Sequence, residues 1–315
     1  MAPVRSPGIV KLACPEAIET RELLVRLHLV DGTYELFRAH YSKRPARTDP
    51  EGRDIKATVG VVSSLLGLLQ DDEEAVSHLA VAFDNPIESF RNELFEGYKD
   101  GSEVDPALRA QFDRVEDAVR ALGVTVWSMQ HHEADDALAS AAVRFVDEVD
   151  QVRILTPDKD LGQVVRDDRI VQVDRVRDRV LDEDAVRARS GVAPASIPDL
   201  LALVGDTADG IPGLPGFGAK TAATLLGRYH HLDAIPEDPG DWDVGVRGAA
   251  RLATTLAERR EDAELYRELA TLVTDVPLDP SLQALAWDGV PRERFLGWCD
   301  AHDVGRLRSR PTRWS

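Results

Sequence analysis

Cysteine, long apolar runs and positive charge are all scarce in this chain of 315 residues. Its two cysteines, Cys14 and Cys299, lie far apart in sequence, which excludes a disulfide framework and a thiolate metal site. No apolar run approaches the roughly 20 residues that a membrane-spanning helix needs, and the N-terminus lacks the apolar core of a secretory signal. These absences predict a soluble protein of the reducing cytoplasm that does not associate with a membrane.

The charge balance is acidic, with 38 lysines and arginines, 56 aspartates and glutamates and a net charge of −18. Binding to a nucleic-acid backbone normally relies on a basic surface and on counterion release, so this balance counts against such a partner. A nucleic-acid function therefore requires locally concentrated cations. The candidates are Arg38, Lys43, Arg44, Arg47, Arg53, Lys56, Arg91, Lys99 and Lys220.

Carboxylates cluster just after apolar runs and at one glycine-rich stretch. Bringing this many acids to one place would cost several kcal/mol of repulsion unless divalent cations lay between them. All-carboxylate sites favour Mg²⁺ or Mn²⁺, and a pair of such ions suits phosphodiester hydrolysis. His131 and His132 leave zinc open as an alternative. The acids are Asp31, Asp84, Glu133, Asp135, Asp136, Asp158, Asp160, Asp206 and Asp209.

Strand-like and helix-like segments alternate over residues 23–181, which predicts an α/β domain with a mostly parallel, helix-covered sheet. Ligands collect at the carboxyl ends of the strands in such sheets, where several of these acids fall. Strand signals fade from residue 182, so residues 182–290 are predicted to form a helical subdomain. Residues 1–22 are expected to be a flexible N-terminal segment. Residues 291–315 are expected to be a C-terminal extension with a basic, frayed tail.

The local spacing of the acids predicts their directions. On a helix Glu133 and Asp136 share a face and Asp135 is turned aside, although a simple capping cluster at a helix N-terminus is the alternative. Asp158 and Asp160 would point to the same side of an extended segment.

The stretch GIPGLPGFGAKTA contains Gly210, Gly213, Gly216 and Gly218 and leads into a predicted helix. A helix N-terminus beside Lys220 can hold a phosphate, although the spacing is not that of a Walker A loop. A tight connection between helices that binds no ligand is the alternative. Because Asp206 and Asp209 immediately precede the stretch, we favour the interpretation that it connects a duplex-binding element to a metal site.

Five strings occur in the order typical of one family: LVDGTYELFRAHYS, FDNPIESFRNELFEGYK, EADDALASAA, ILTPDKDLGQVV and GDTADGIPGLPGFGAKTAATLL. The chain thus resembles the 5′ nuclease family, which comprises flap endonucleases and the 5′ nuclease domain of bacterial DNA polymerase I, as a stand-alone member. The resemblance implies a PIN-like core and two Mg²⁺ ions, with Mn²⁺ as a substitute. It places Asp31, Asp84, Glu133, Asp135 and Asp136 at the first ion and Asp158, Asp160, Asp206 and Asp209 at the second.

The resemblance also implies DNA contacts. Arg91 and Lys99 would act catalytically at the scissile phosphate, and residues 42–58 would form an arch for a single-stranded 5′ end. A helix-turn-helix element at 210–221 would grip duplex DNA and bind K⁺. One departure is Asp100-Gly101-Ser102, where the family usually has an arginine. The expected DNA contacts are Arg38, Lys43, Arg44, Gly213, Gly216, Gly218, Lys220 and Thr221.

The expected activity is that of a Mg²⁺-dependent 5′–3′ exonuclease and flap endonuclease acting on DNA in replication or repair. The expected partner is DNA with a 5′ flap, a nick or a free 5′ end, with an RNA–DNA hybrid as a further candidate. We expect a monomer in the cytoplasm, at the nucleoid.

The alternative from another class is a structure-specific DNA-binding paralogue with weak or no nuclease activity. A haloacid-dehalogenase-type phosphatase would need an aspartate where Leu29 stands. A compact PIN-type ribonuclease would leave the helices after residue 182 unexplained.

Overall fold

The computed structural model describes residues 24–278 and 281–315. The flexible segment expected for residues 1–22 lies outside these ranges. Within them, no helix combines the length and the apolar character needed to cross a bilayer.

One six-stranded sheet organises the first part of the chain. Its spatial order is β3-β2-β1-β4-β5-β6, and every pairing is parallel except that of β5 with β6. The carboxyl ends of β2, β1 and β4 therefore lie side by side. The strands are β1 (Arg26–Asp31), β2 (His78–Asp84), β3 (Thr125–Met129), β4 (Gln151–Leu155), β5 (Ile170–Asp174) and β6 (Arg179–Leu181).

Helices cover both faces of the sheet because alternate strand residues point to opposite sides. Val81 and Phe83 of β2 join the core formed with α2 and α5, whereas Ala80 and Ala82 join the core formed with α6. Two residues, Ala110 and Gln111, separate the short helix α4 from α5. The helices of this part are α1 (Gly32–His40), α2 (Lys56–Leu69), α3 (Arg91–Leu94), α4 (Pro106–Arg109), α5 (Phe112–Ala121) and α6 (Ala134–Phe145).

A second hydrophobic core lies among the helices that follow the sheet, and it includes Leu201, Leu225, Leu256 and Leu269. The predicted fold class, an α/β sheet followed by a helical subdomain, is confirmed. The boundary predicted at residues 181 and 182 stays a prediction. The helices are α7 (Glu183–Ser190), α8 (Ile197–Val204), α9 (Ala219–Tyr229), α10 (Ala249–Glu258) and α11 (Arg260–Ala270).

The C-terminal extension packs on the sheet domain and does not fray, so that expectation is wrong. Its helix α12 (Arg292–Ala301) packs against α5 and buries Phe295 and Cys299 completely. Trp314 pairs with Val290 through a β-bridge, and Gln70 donates a hydrogen bond to the carbonyl of Arg310. Apolar residues interspersed among the arginines anchor the tail, which its basic composition did not indicate.

Candidate metal centre

Two acids mark the carboxyl ends of the adjacent strands β1 and β2. Asp31 caps α1, because its Oδ1 accepts a hydrogen bond from the amide of Tyr34 at 2.8 Å. Its Oδ2 accepts one from the hydroxyl of Thr156, just after β4, at 2.9 Å. Asp84 accepts a hydrogen bond from the amide of Ala134 at 2.7 Å, which attaches the start of α6 to the end of β2. The strand order thus brings these distant segments together.

The acids at the start of α6 divide differently from the prediction. Glu133 is the N-cap residue and forms a capping box with Asp136. Asp135, expected to be turned aside, is the one whose carboxylate interacts with those of Asp31, Asp84 and Asp158. The capping alternative therefore describes Glu133 and Asp136, whereas Asp135 lies among the clustered carboxylates.

Asp136 and Arg91 contradict the roles that the resemblance implied. Asp136 is 0% exposed and Arg91 is 1% exposed. The two side chains form a bidentate ion pair with N–O distances of 2.7 and 2.8 Å. With Asp136 held by this pair and by backbone amides, it is not placed to bind a metal ion. Arg91 is equally unable to touch a phosphate, since its guanidinium is enclosed by protein.

A second group of acids lies at the junction with the helical subdomain. Carboxylate oxygens of Asp160, Asp206 and Asp209 all lie within 4.8 Å of one another. Asp158 is close by and exposed, and its Oδ1 accepts a hydrogen bond from the amide of Asp160. The expected extended segment is wrong, because Asp160 begins a 3-10 helix (Asp160–Val164).

This second group fits a divalent cation. Oδ1 of Asp160 is buried and has no hydrogen-bond partner among the described residues. A buried carboxylate oxygen without a donor is unfavourable unless a cation takes the donor's place. The ammonium of Lys159 lies 2.5 Å from Asp206 and neutralises part of the charge. The three clustered side chains are all aspartates, which favours a hard ion over zinc.

Burial and mutual repulsion raise the pKa values of most of these acids. Burial, together with the charges of Asp84 and Asp158, raises the pKa of Asp31 to about 7. The pKa values of Asp135 and Asp160 are raised well above the usual range by burial and by neighbouring carboxylates. The carboxyl groups of Asp31, Asp135 and Asp160 therefore resist ionising beside their neighbours, as expected of a site built for added positive charge.

Lys99 lies between the two groups of acids. Its Nζ is 2.9 Å from Oε2 of Glu133 and 2.9 Å from Oδ1 of Asp209. Burial would lower the pKa of Lys99, but these carboxylates outweigh it and raise the pKa well above its usual value. Burial would likewise raise the pKa of Glu133, but the charges of Lys99 and Arg91 lower it. Lys99 and Glu133 therefore remain charged at neutral pH.

Several uncharged side chains donate hydrogen bonds to residues of this centre. The sequence analysis did not identify them. Ser89 and Tyr98 donate hydrogen bonds to Glu133 at 2.8 and 3.3 Å. Asn92 donates to the carbonyl of Lys99 at 3.0 Å. Thr156 could have been found, since it is a polar residue directly after a strand. The others come from the short helix α3 and its flanks, which carry no periodic signal.

A cavity of about 710 Å³ opens beside the acids. Asp84 and Lys99 line it, and the segment from Lys99 to Val104 forms one wall. In the described chain no residue of 42–58 lines this cavity, so the expected arch is assigned to the wrong segment. Residues 42–58 instead begin after the C-terminal end of α1, and α1 extends about 14 Å away from Asp31. The remaining lining residues are Thr33, Phe37, Tyr41, Ile87, Glu96, Gly97, Tyr98, Thr207, Ala208 and Gly210.

Many of the proposed DNA-contacting cations are engaged elsewhere. Arg38 pairs with Glu35, Arg53 pairs with Asp49, and Lys56 donates to the carbonyl of His40. Arg47 donates a hydrogen bond to the carbonyl of Asp303 in the C-terminal extension. Lys43 and Arg44 are exposed, and their DNA contacts stay predictions.

The glycine-rich stretch connects α8 to α9. Gly213 has a φ of +69°, and a Cβ on it would lie 2.4 Å from the backbone nitrogen of Gly205. Gly216 also has a positive φ, of +89°. Gly218 caps α9 without a side-chain hydrogen bond, and exposed Lys220 and partly exposed Thr221 follow it. The tight connection and the open helix N-terminus are thus both present, and the phosphate contact stays a prediction.

The chain matches two family models. Residues 26–191 match the 5′-3′ exonuclease N-terminal resolvase-like domain, and residues 192–293 match the 5′-3′ exonuclease C-terminal SAM fold. Together they cover the sheet domain and the helical subdomain.

Similar proteins include DNA polymerase I of Pseudomonas aeruginosa, which is 39% identical over 279 residues, or 86% of this chain and 29% of that protein. The chain thus spans under a third of the polymerases it matches. The 5′-3′ exonuclease of Aquifex aeolicus is 31% identical over 82% of this chain and 86% of its own length.

Solved structures share the fold at low sequence identity. T5 5′-exonuclease with bound zinc has a TM-score of 0.59 and 19% identity, over 90% of this chain and 100% of its own. The catalytic core of Rad2 in complex with a DNA substrate has a TM-score of 0.56 and 14% identity, over 89% of this chain and 88% of its own. From the two family models and the relative in Aquifex aeolicus, we conclude that the chain belongs to the 5′-3′ exonuclease family, as its motifs predicted.

Proposed function

We propose that the chain is a Mg²⁺-dependent 5′–3′ exonuclease with flap endonuclease activity on DNA. It cleaves phosphodiester bonds near 5′ ends or at single-strand/duplex junctions, in replication or repair. The observation that carries this proposal is the meeting of two groups of carboxylates around Lys99, beside an open cavity.

Two groups of side chains would hold the metal ions. Asp31, Asp84, Glu133 and Asp135 would serve the first ion, and Asp158, Asp160, Asp206 and Asp209 the second. Divalent ions bound here would lower the pKa of water and neutralise charge on the scissile phosphate. Mn²⁺ would substitute for Mg²⁺, because both are hard ions that accept oxygen ligands.

The chain's own residues supply the remaining functions. Lys99 can donate a hydrogen bond to a phosphate oxygen, since its ammonium is charged and faces both carboxylate groups. The wall formed by Lys99 to Val104 limits access from one side and would contact a single-stranded 5′ end. The amides at the start of α9, together with Lys220, would bind a duplex phosphate.

DNA with a 5′ flap, a nick or a free 5′ end is the main substrate, and an RNA–DNA hybrid is a further one.

The carbonyls of the turns at 210–221 would bind K⁺ and link it to the duplex backbone. The protein would act as a cytoplasmic monomer at the nucleoid.

The test uses a 5′-flap DNA labelled at its end, incubated with the full chain and Mg²⁺, Mn²⁺ or EDTA. We expect site-specific incision with either metal and none with EDTA. Asp135→Asn is the matched inactive control, because it removes a carboxylate at the metal group with little change in volume.

The second candidate, a DNA-binding paralogue without nuclease activity, is favoured by one observation. Asp100, Gly101 and Ser102 replace the arginine that the family usually carries after the tyrosine-lysine pair. Tight, structure-specific binding of the flap with no product at any metal concentration would support this candidate and reject the nuclease.

A further inference from the structure

Arg91 and Asp136 form a fully buried ion pair directly behind the acids. Its two N–O distances, 2.7 and 2.8 Å, describe a parallel, bidentate contact. Such pairs are among the strongest hydrogen-bonded contacts in proteins, and removing one partner leaves an uncompensated buried charge. Neither residue is placed to reach a metal ion or a phosphate, so the pair needs another explanation.

On one side the pair holds the chain at the end of α11. Nε of Arg91 donates to the carbonyl of Leu269 at 2.8 Å, and Nη2 donates to that of Thr271 at 2.9 Å. Oδ1 of Asp136 accepts a hydrogen bond from the amide of Val273 at 2.9 Å. Three hydrogen bonds thus attach the pair to residues 269–273 of the helical subdomain.

On the other side the pair holds Glu133. Oδ2 of Asp136 accepts a hydrogen bond from the amide of Glu133 at 2.9 Å. Nη1 of Arg91 also lies 3.2 Å from Oε1 of Glu133. Both the backbone and the carboxylate of Glu133 are therefore fixed by the same two residues, and Glu133 in turn contacts Lys99.

We propose that Arg91 and Asp136 are positioning residues that fix the position of the helical subdomain relative to the metal centre. The helix α11 packs against α8, which ends at Val204 shortly before the glycine-rich stretch that begins at Gly210. A duplex held at that stretch is thereby placed at a defined distance from Glu133 and Lys99. The pair determines which phosphodiester bond lies at the acids. This inference rests on the proposed nuclease function.

The test is Asp136→Asn in the full chain, assayed on the labelled 5′ flap. We expect the single-turnover rate to fall about tenfold to a hundredfold, because small misplacements of reacting groups have effects of this size. The products should spread over neighbouring phosphodiester bonds. The number of Ca²⁺ ions bound, measured by calorimetry, should not change, and flap affinity in Ca²⁺ should stay within about threefold.

The control removes a comparable ion pair at the other end of the strands. Glu74→Gln breaks the 2.8 Å pair with Arg153 and the contact with His28. It should lower stability while leaving the incision position unchanged. Arg91→Lys keeps the charge but loses the planar fork, and it should also spread the products. If Asp136→Asn does not fold, the product pattern of Arg91→Lys tests the positioning role instead.

Two results would overturn the proposal. Loss of one bound Ca²⁺ in Asp136→Asn would make Asp136 a metal ligand, and an unchanged rate with an unchanged cut position would remove the positioning role. Wild-type chain that binds the flap and makes no product would instead reject the proposed function.

Discussion

Gly97 and Gly210 bring two backbone segments into direct contact. A Cβ built on Gly210 would lie 2.1 Å from the carbonyl oxygen of Gly97, and Gly210 has a φ of +76°. The neighbouring residues are also joined, because the amide of Lys99 donates to the carbonyl of Asp209 at 3.1 Å. The segment that carries Lys99 therefore rests on the start of the glycine-rich stretch.

Gly210→Ala should displace Lys99, because the added methyl cannot fit against the carbonyl of Gly97. We expect the single-turnover cleavage rate to fall about tenfold or more, with a smaller effect on flap binding. Gly248→Ala is the matched control, since Gly248 has a φ of +78° and open space around the added Cβ. Equal losses in both variants would mean that backbone strain, and not the contact, explains the effect.

Lys99→Ala should reduce the single-turnover rate by about a hundredfold to a thousandfold, the size typical of a lost charge-stabilising donor. Flap affinity should change little, because a single phosphate contact is lost. The variant should also melt at a lower temperature in EDTA, since Glu133 and Asp209 lose their shared cation. Quench-flow and thermal denaturation measure the two effects, and an unchanged rate would remove Lys99 from the mechanism.

The metal-free protein should lose stability as the pH rises. Burial and the charges of Asp84 and Asp158 raise the pKa of Asp31 from 3.8 to about 7 in the folded chain. Between these values the folded state binds more protons than the unfolded state, so the free energy of unfolding decreases with increasing pH. We therefore expect the Tm in EDTA to be lower at about pH 8 than at about pH 5.5.

Two comparisons separate this effect from other titrations. Asp31→Asn should make the pH dependence of the Tm in EDTA less steep without abolishing it, because one carboxyl with a raised pKa is gone while Asp135 and Asp160 remain. Adding Mg²⁺ to the wild type at about pH 8 should restore stability, since a ligand that binds the folded state stabilises it. A wild type and an Asp31→Asn variant with the same pH dependence would contradict the prediction.

Lys220→Ala should weaken duplex binding without changing the chemistry. The exposed ammonium lies in the first turn of α9, where the free amides already favour a phosphate. We expect weaker binding to all duplex sequences and a salt-dependence slope smaller by about 1. The single-turnover rate at saturating enzyme should match the wild type. A reduced rate at saturation would place Lys220 in the catalytic step.

Much of the fold could be predicted from the sequence. The strand runs ending at Asp31 and Asp84 and the helical pattern after residue 182 are local signals, and the structure confirms both. The order of the motifs was enough to identify the family. These features are predictable because apolar periodicity reports burial directly and depends on neighbouring residues only.

The local sequence did not distinguish the contacts that individual acids make. Asp135 and Asp136 are adjacent acids with the same local signal, yet one faces the carboxylate cluster and the other is buried against Arg91. Lys99 was identified by resemblance, whereas its contact with both acid groups depends on the junction of Gly97 with Gly210. The arch was assigned to a polar, cationic loop, because composition alone does not show which loop lines the cavity.

By itself the sequence determined that acids end several strands, that the sheet is mostly parallel and that a glycine-rich turn leads into a helix. Tertiary structure alone decided which carboxylates share a space, which arginine is buried and which loop lines the cavity. The physical reason is distance along the chain. Backbone conformation depends mainly on nearby residues, whereas the cations that surround the carboxylate of Glu133 are Arg91 and Lys99, which are distant in sequence and are brought to it by packing.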